Sequence, residues 1–160
     1  MRRRLGVLVT GLLLSPWVVR AEVARFALQG GSWGLRAHEP HELAVQLEFR
    51  PGVRWWWVRP TAGLLQSSEG TQYVFAGVLL EIPLWGGVTL SPGFAPGIRT
   101  LDGQRDLGSR VLFKSSVELA IPLTLGLRAL ASFAHTSNAK LGHPNPGIET
   151  LLFGLEVALE

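Results

Sequence analysis

The chain has 160 residues, with 15 lysines and arginines, 12 aspartates and glutamates, and no cysteine. This length suits one domain rather than two, and without cysteine no disulfide bond can stabilise the fold. The formal net charge of +3 arises from the first 21 residues, which carry four arginines and no acidic residue. Residues 22–160 carry 11 basic and 12 acidic residues, a net charge of −1. That charge gives no basis for nucleic-acid binding.

Residues 1–21 have the pattern of a secretory signal peptide. Arginines occupy positions 2–4, residues 5–14 are an apolar run, and Ala21 is a small residue suited to cleavage. The run is too short to cross a membrane as a helix, and no later segment has the roughly 18 apolar residues that a spanning helix needs. We therefore expect cleavage after Ala21, export, and a mature domain of residues 22–160.

The mature chain alternates between segments of period-two hydrophobicity and connections rich in Gly, Pro, Ser and Asn, which is typical of β-strands and turns. Strands are predicted at 22–31, 41–50, 54–65, 71–82, 86–95, 109–121, 124–137 and 148–160. Three tight connections, around Pro51-Gly52, at 83–85 and at Pro122-Leu123, alternate strictly with four longer and more polar ones. In an up-and-down ribbon, all long loops therefore lie at one end and all tight turns at the other.

This organisation predicts an all-β protein, an eight-stranded antiparallel up-and-down transmembrane β-barrel. Closure is required because lipid cannot hydrogen-bond an open sheet edge. The competing architecture is a water-soluble eight-stranded barrel with its apolar face inward. It is disfavoured because its interior would have to accommodate Trp and Phe side chains from many strands.

The tryptophans of the mature chain predict an aromatic girdle at the membrane interface on the turn side. They are Trp33, Trp55, Trp56, Trp57 and Trp85. A sugar-stacking platform is the weaker alternative.

Charged residues on the other faces of the last three strands predict an ion-pair network inside the barrel, rather than a conducting pore. They are Lys114, Glu118, Arg128 and Glu156. The loop histidines (His38, His41 and His143) have no carboxylate or thiol at ligand spacing, so no metal site is predicted.

His135, Ser137 and Glu149 lie at the loop-proximal ends of the last two strands, on faces that are otherwise apolar. Side chains alternate faces along a strand, so all three share the lipid-facing side. The spacing of two residues puts the Cα atoms of His135 and Ser137 about 6.5–7 Å apart, and Glu149 comes from the neighbouring strand. The three residues supply a base, a nucleophile and an orienting carboxylate. We expect Ser137 Oγ and a ring nitrogen of His135 to lie within or close to hydrogen-bond reach on the outer wall.

Residues 133–139 (FAHTSNA) and 145–149 (NPGIE) resemble the lipid A 3-O-deacylases of Gram-negative outer membranes. Members of that family are eight-stranded barrels that hydrolyse one acyl ester of the lipid A anchor. The matching pattern is His-x-Ser-Asn-Ala followed by Asn-x-Gly-x-Glu. The resemblance implies His135 as base, Ser137 as nucleophile, Glu149 as the residue that orients the histidine, Asn145 as an oxyanion-hole donor, and Asn138 and Gly147 as residues that shape the loop.

The resemblance also implies that lipid A or lipopolysaccharide of the outer leaflet is the substrate, that the protein is embedded in the Gram-negative outer membrane, and that no cofactor is needed. A homodimer is left open. The chain departs from other outer-membrane barrels, which usually end on an aromatic residue, because it ends in Leu159-Glu160.

Two other functions stay open on the same scaffold. One is a non-catalytic outer-membrane barrel for structure or adhesion, whose long loops would bind a partner. The other is a lipid acyltransferase, since transfer and hydrolysis use the same acyl-enzyme. Product analysis separates them, because a transferase leaves a newly acylated lipid instead of free fatty acid.

Overall fold

In the computed structural model, which describes residues 19–35, 42–100 and 106–159, eight long antiparallel strands close into a barrel. They are β1 (Ala24–Trp33), β2 (Glu42–Arg50), β3 (Val58–Ser67), β4 (Gln72–Leu80), β5 (Thr89–Arg99), β6 (Val111–Thr124), β7 (Leu127–Ser137) and β8 (Ile148–Leu159). Each pairs with its neighbours in sequence, and β8 pairs back with β1. The predicted architecture is confirmed.

Short elements extend the turn end of the barrel. Val19–Ala21 pairs with Val53–Trp55, Ile82–Pro83 pairs with β5, and Trp85–Gly87 forms one turn of 3₁₀ helix. Among the described residues, no helix is long and apolar enough to span a membrane. Most of the predicted signal peptide (1–18), together with His38, His41 and Glu160, lies outside the described residues.

Two predicted boundaries on the turn side are wrong. The third strand begins at Val58 rather than at 54, because the first tight turn lies at Trp56-Trp57 rather than around Pro51-Gly52, with Trp56 at a positive φ of 61°. The last tight turn lies at Leu125-Gly126 rather than at Pro122-Leu123. Gly126 supplies the positive φ of 78° that the turn needs, whereas Pro122 remains in β6 near the strand end.

The fifth strand also differs, since it runs to Arg99 instead of ending at residue 95. Pro92 and Pro96 lie within it and keep register with β6, while the pairing with β4 is interrupted at Ala95 and Pro96. A proline removes a backbone donor without breaking the extended conformation. The strand therefore continues past residues that the sequence pattern indicated as a loop.

The barrel turns its apolar face outward. In β2 the outward residues Leu43, Val45, Leu47 and Phe49 are each at least 40% exposed, while Ala44, Gln46, Glu48 and Arg50 are buried. This is the opposite of a soluble barrel with an apolar interior. It is the arrangement expected when the outer wall contacts lipid.

The tryptophan prediction holds for four residues and fails for one. Trp55, Trp56, Trp57 and Trp85 are exposed at the turn end. Trp33 is fully buried instead. It lies on the inward face of β1, together with Ala27 and Gln29. It therefore packs inside the half of the barrel that is nearer the long loops.

The predicted ion-pair network occupies the half of the interior nearer the tight turns, and its centre is Arg50. The Arg50 guanidinium contacts Glu48 at 2.9 Å, Glu118 at 2.7 Å and Glu156 at 2.6 Å. Arg128 reaches Glu156 at 2.5 Å. Lys114 donates to Gln46 Oε1 at 3.1 Å rather than to a carboxylate. These contacts give the buried charges the partners that an enclosed barrel interior requires.

An apolar cluster fills the other half of the interior, nearer the long loops. Its members include Trp33, Leu65, Tyr73, Leu112 and Ile148, all at most 1% exposed. Ile148 and Leu112 lie at the loop ends of β8 and β6, the strands on either side of β7. The cluster therefore supports, from within, the part of the wall that carries His135, Ser137 and Glu149 on its outer side.

Candidate active site

The pairing of β7 with β8 places His135 directly opposite Glu149. Both side chains point outward, since the intervening Ala134, Thr136, Ile148 and Thr150 are buried. His135 Nδ1 lies 3.1 Å from Glu149 Oε1, and the two side chains are 44% and 17% exposed. The imidazole is thus held by a carboxylate on a wall that faces lipid.

Ser137 ends β7 and pairs with Phe113 of β6. It shares the outward face of His135 and is half-buried. The hydrogen bonds of the described residues do not include one between Ser137 Oγ and the His135 ring. The predicted common face is present, whereas the direct hydrogen bond is not formed.

Asn138 organises the loop that follows β7. Its side chain is fully buried, and Nδ2 lies 2.8 Å from the carbonyl oxygen of Leu107, 3.1 Å from that of Gly142 and 3.0 Å from that of Pro144. Oδ1 accepts from Lys140 N at 2.8 Å. Because its amide is fully engaged with backbone, Asn138 can only support the loop and has no donor left for a substrate.

Asn145 lies next to this support. Its Oδ1 accepts a hydrogen bond from the backbone N–H of Asn138 at 3.1 Å. That contact fixes the orientation of the Asn145 amide. The other end of the amide, Nδ2, carries two N–H donors. Asn145 is therefore the member of the predicted set that could still donate to a developing negative charge.

Gly147 contacts the imidazole directly. It is buried with a positive φ of 65°. A Cβ at this position would lie 2.5 Å from His135 Cε1 and 3.1 Å from Nε2. Because Gly147 has no side chain, its backbone can lie this close to the edge of the His135 ring that carries Nε2.

Replacing Gly147 with alanine is expected to lower activity roughly 10–10²-fold, because the ring must move and small displacements of a reacting group are costly. Gly86→Ala is the matched control. Gly86 has nearly the same φ, 64°, and nothing lies within 4 Å of its hypothetical Cβ. Both variants carry the same backbone strain, so equal activities of the two would show that the contact with His135 is unimportant.

The segment before β6, which the sequence predicts as one of the long polar loops, also supports the site. Leu107 is buried and its carbonyl accepts from Asn138. A Cβ on Gly108 would lie 1.9 Å from the Pro144 carbonyl oxygen. The signal in the sequence was an apolar residue followed by glycine within a polar stretch, which indicates a packed rather than a solvated loop.

Comparison with known proteins identifies a family and a shared fold. The family model described as "Lipid A 3-O-deacylase (PagL)" matches residues 41–158. No curated protein sequence matches the chain. The fold is similar to the crystal structure of the outer membrane enzyme PagL, with a TM-score of 0.64, 18% identity, and coverage of 85% of this chain and 99% of that one.

Two further solved structures share the fold. One comes from work titled "De novo design of transmembrane beta-barrels", with a TM-score of 0.62, 6% identity, and coverage of 87% of this chain and 96% of that chain. The other is the Yersinia pestis outer membrane protein Ail in a phospholipid nanodisc, with a TM-score of 0.52, 12% identity, and coverage of 85% and 99%. The family match and the barrel fold together indicate an outer-membrane protein.

Proposed function

The chain belongs to the lipid A 3-O-deacylase family, and we propose that it is a serine esterase that hydrolyses the 3-O-linked acyl chain of lipid A. The observation that carries this proposal is the contact of His135 Nδ1 with Glu149 Oε1, at 3.1 Å, on a lipid-facing wall. Ser137 stands two residues further along the same face. These are the side-chain types of an acyl-transfer triad, in which a nucleophile, a base and an orienting carboxylate act together.

In the first step, Ser137 Oγ attacks the ester carbonyl carbon while His135 takes the hydroxyl proton. With its Nδ1–H donated to Glu149, the imidazole offers Nε2 as the base. The tetrahedral intermediate collapses and expels the sugar 3-oxygen, which receives the proton from His135. Water, deprotonated by the same nitrogen, then attacks the acyl-enzyme and releases the fatty acid and free Ser137.

The negative oxygen of the tetrahedral intermediate needs a donor, and Asn145 is our candidate. The contact of its Oδ1 with Asn138 N fixes the amide plane, so Nδ2 would not have to reorganise when charge develops. Preorganised donors of this kind typically contribute 10²–10³-fold in rate. Asn138 and Gly147 have positioning roles. Asn138 holds the loop in place, and Gly147 allows the loop to approach the imidazole.

The outward direction of the site fits a substrate that already lies in the bilayer. The wall around it presents exposed apolar side chains, including Phe133 and Phe153. A lipid A molecule in the outer leaflet can place its acyl ester against this wall without leaving the membrane. Leader cleavage after Ala21 would precede assembly and would remove the short strand Val19–Ala21. We propose that one chain acts on one lipid A molecule, with no cofactor.

Mass spectrometry of lipid A tests the proposal. Expression of the full chain in a Gram-negative host should remove one 3-hydroxyacyl chain from lipid A and release it as free fatty acid. A folded, membrane-inserted barrel that leaves lipid A unchanged would refute the activity. An unchanged total of acyl chains together with a newly acylated second lipid would identify an acyltransferase instead.

Glu149→Gln is expected to lower the deacylation rate roughly 10–10³-fold, because it keeps the shape of the side chain but removes the charge that stabilises the imidazolium. The rate should be measured on purified protein, with heat-modified gel mobility as the check on folding. Glu69→Gln, in an exposed turn, is the control. A rate within twofold of wild type would remove Glu149 from the mechanism and leave a Ser–His dyad.

A further inference from the structure

A second serine lies beside His135 on the side away from Glu149. In the pairing of β6 with β7, Ser115 is directly opposite His135. It is exposed on the lipid-facing wall, and its neighbours along the same face of β6 include the exposed Val111 and Val117. Glu149, His135 and Ser115 therefore form one row across three adjacent strands, and Ser115 is a polar interruption of an apolar face.

The Ser115 hydroxyl is free to bind a ligand. Among the hydrogen bonds of the part of the chain that the structure describes, none uses its Oγ. A hydroxyl that faces lipid without a partner loses the hydrogen bonds that water would give it. A polar group of the substrate, brought to this position in the membrane, would restore one.

The depth of Ser115 determines which part of the substrate it can meet. Ser137 is opposite Phe113, so Ser115 lies two residues further from the long loops along β6. Such a diagonal neighbour is about 7–8 Å away between Cα atoms. An acyl chain whose ester carbonyl is at Ser137 runs toward the bilayer centre, past the row of His135 and Ser115. The first carbons after the carbonyl therefore pass Ser115.

We infer that Ser115 is a specificity-determining residue that hydrogen-bonds a hydroxyl on the third carbon of the acyl chain. The site then prefers 3-hydroxyacyl esters to unsubstituted acyl esters of the same length. This inference rests on the proposed function, since it assumes that the ester carbonyl binds at Ser137. The third carbon is two bonds from that carbonyl, which suits a side chain one row deeper in the wall.

The test compares two synthetic glucosamine esters that differ only in the 3-hydroxyl of the acyl chain, using the full chain in detergent micelles. Wild type should prefer the hydroxylated ester by roughly 3–10-fold in kcat/KM, the size of one net hydrogen bond. Ser115→Ala should reduce this preference to within twofold and leave the unsubstituted ester almost unaffected. Ser115→Thr keeps the hydroxyl and should keep the preference.

Ser116→Ala is the matched control, because Ser116 is the adjacent serine and lies on the inner face beside Ala134. It should keep the wild-type preference. A folded Ser115→Ala variant with an undiminished preference, or a wild type that hydrolyses both esters equally, overturns the inference and leaves the esterase intact. Loss of activity on both esters in Ser115→Ala also overturns it, by placing Ser115 in the reaction itself. Wild-type inactivity on both esters overturns the proposed function, and the inference with it.

Discussion

Replacing Ser137 with alanine is expected to lower the rate of lipid A deacylation by at least about 10³-fold, because removal of the nucleophile of a triad leaves only the catalysis that binding and the oxyanion hole provide. The side chain is half-buried at the end of β7 and makes no hydrogen bond to His135 in this structure. Its loss should therefore not disturb the barrel.

The measurement is the loss of the 3-hydroxyacyl chain from lipid A over time, followed by mass spectrometry at equal amounts of folded protein. Ser132→Ala is the control on the same strand, since that serine faces the interior and contacts Gln29 at 3.2 Å. The control should deacylate at close to the wild-type rate. A Ser137→Ala rate within tenfold of wild type would mean that another group attacks the ester.

Replacing Arg50 with methionine is expected to destabilise the folded barrel by about 3–5 kcal/mol, the usual cost of removing one partner from a buried ion pair. Arg50 is 1% exposed and is the shared cation of Glu48, Glu118 and Glu156. Methionine has a comparable size, so the principal change is that three enclosed carboxylates lose their common partner.

Unfolding by denaturant in detergent micelles, monitored by tryptophan fluorescence, gives this free energy. Arg110→Met is the control, because Arg110 is exposed at the loop end of β6, and it should change the free energy of unfolding by less than about 0.5 kcal/mol. If Arg50→Met unfolded within 1 kcal/mol of wild type, the interior network would contribute little and the apolar cluster alone would hold the barrel.

Much of the fold could be predicted from the sequence because a barrel in lipid imposes a strict alternation. In β2, four apolar residues alternate with Ala44, Gln46, Glu48 and Arg50, and the two sets lie on opposite faces. The turns were harder to predict. The sequence predicts a turn at Pro122-Leu123, but the positive φ of Gly126 determines where the chain reverses. Proline is a weak signal at a strand end, since it only lacks a donor.

The positions of His135, Ser137 and Glu149 on one outward face followed from the same alternation. The contacts that support these three residues did not follow from that alternation. Asn138 contacts the backbone at Leu107, which is 31 positions away in the chain, and no local pattern indicates such a contact. Arg50 was likewise missed as the centre of the interior network, because its carboxylate partners on β6 and β8 become neighbours only once the barrel closes.

Identification of the nucleophilic residue tests the proposed mechanism most directly. A lipophilic fluorophosphonate ester mimics the carbonyl and reacts irreversibly with an activated serine, so its site of attachment can be read by peptide mass spectrometry. The proposed mechanism predicts one adduct, on Ser137, formed at least about 10-fold more slowly when His135 is replaced by alanine, since the base activates the nucleophile. An adduct on Ser115, or undiminished labelling of Ser137 without His135, would contradict it.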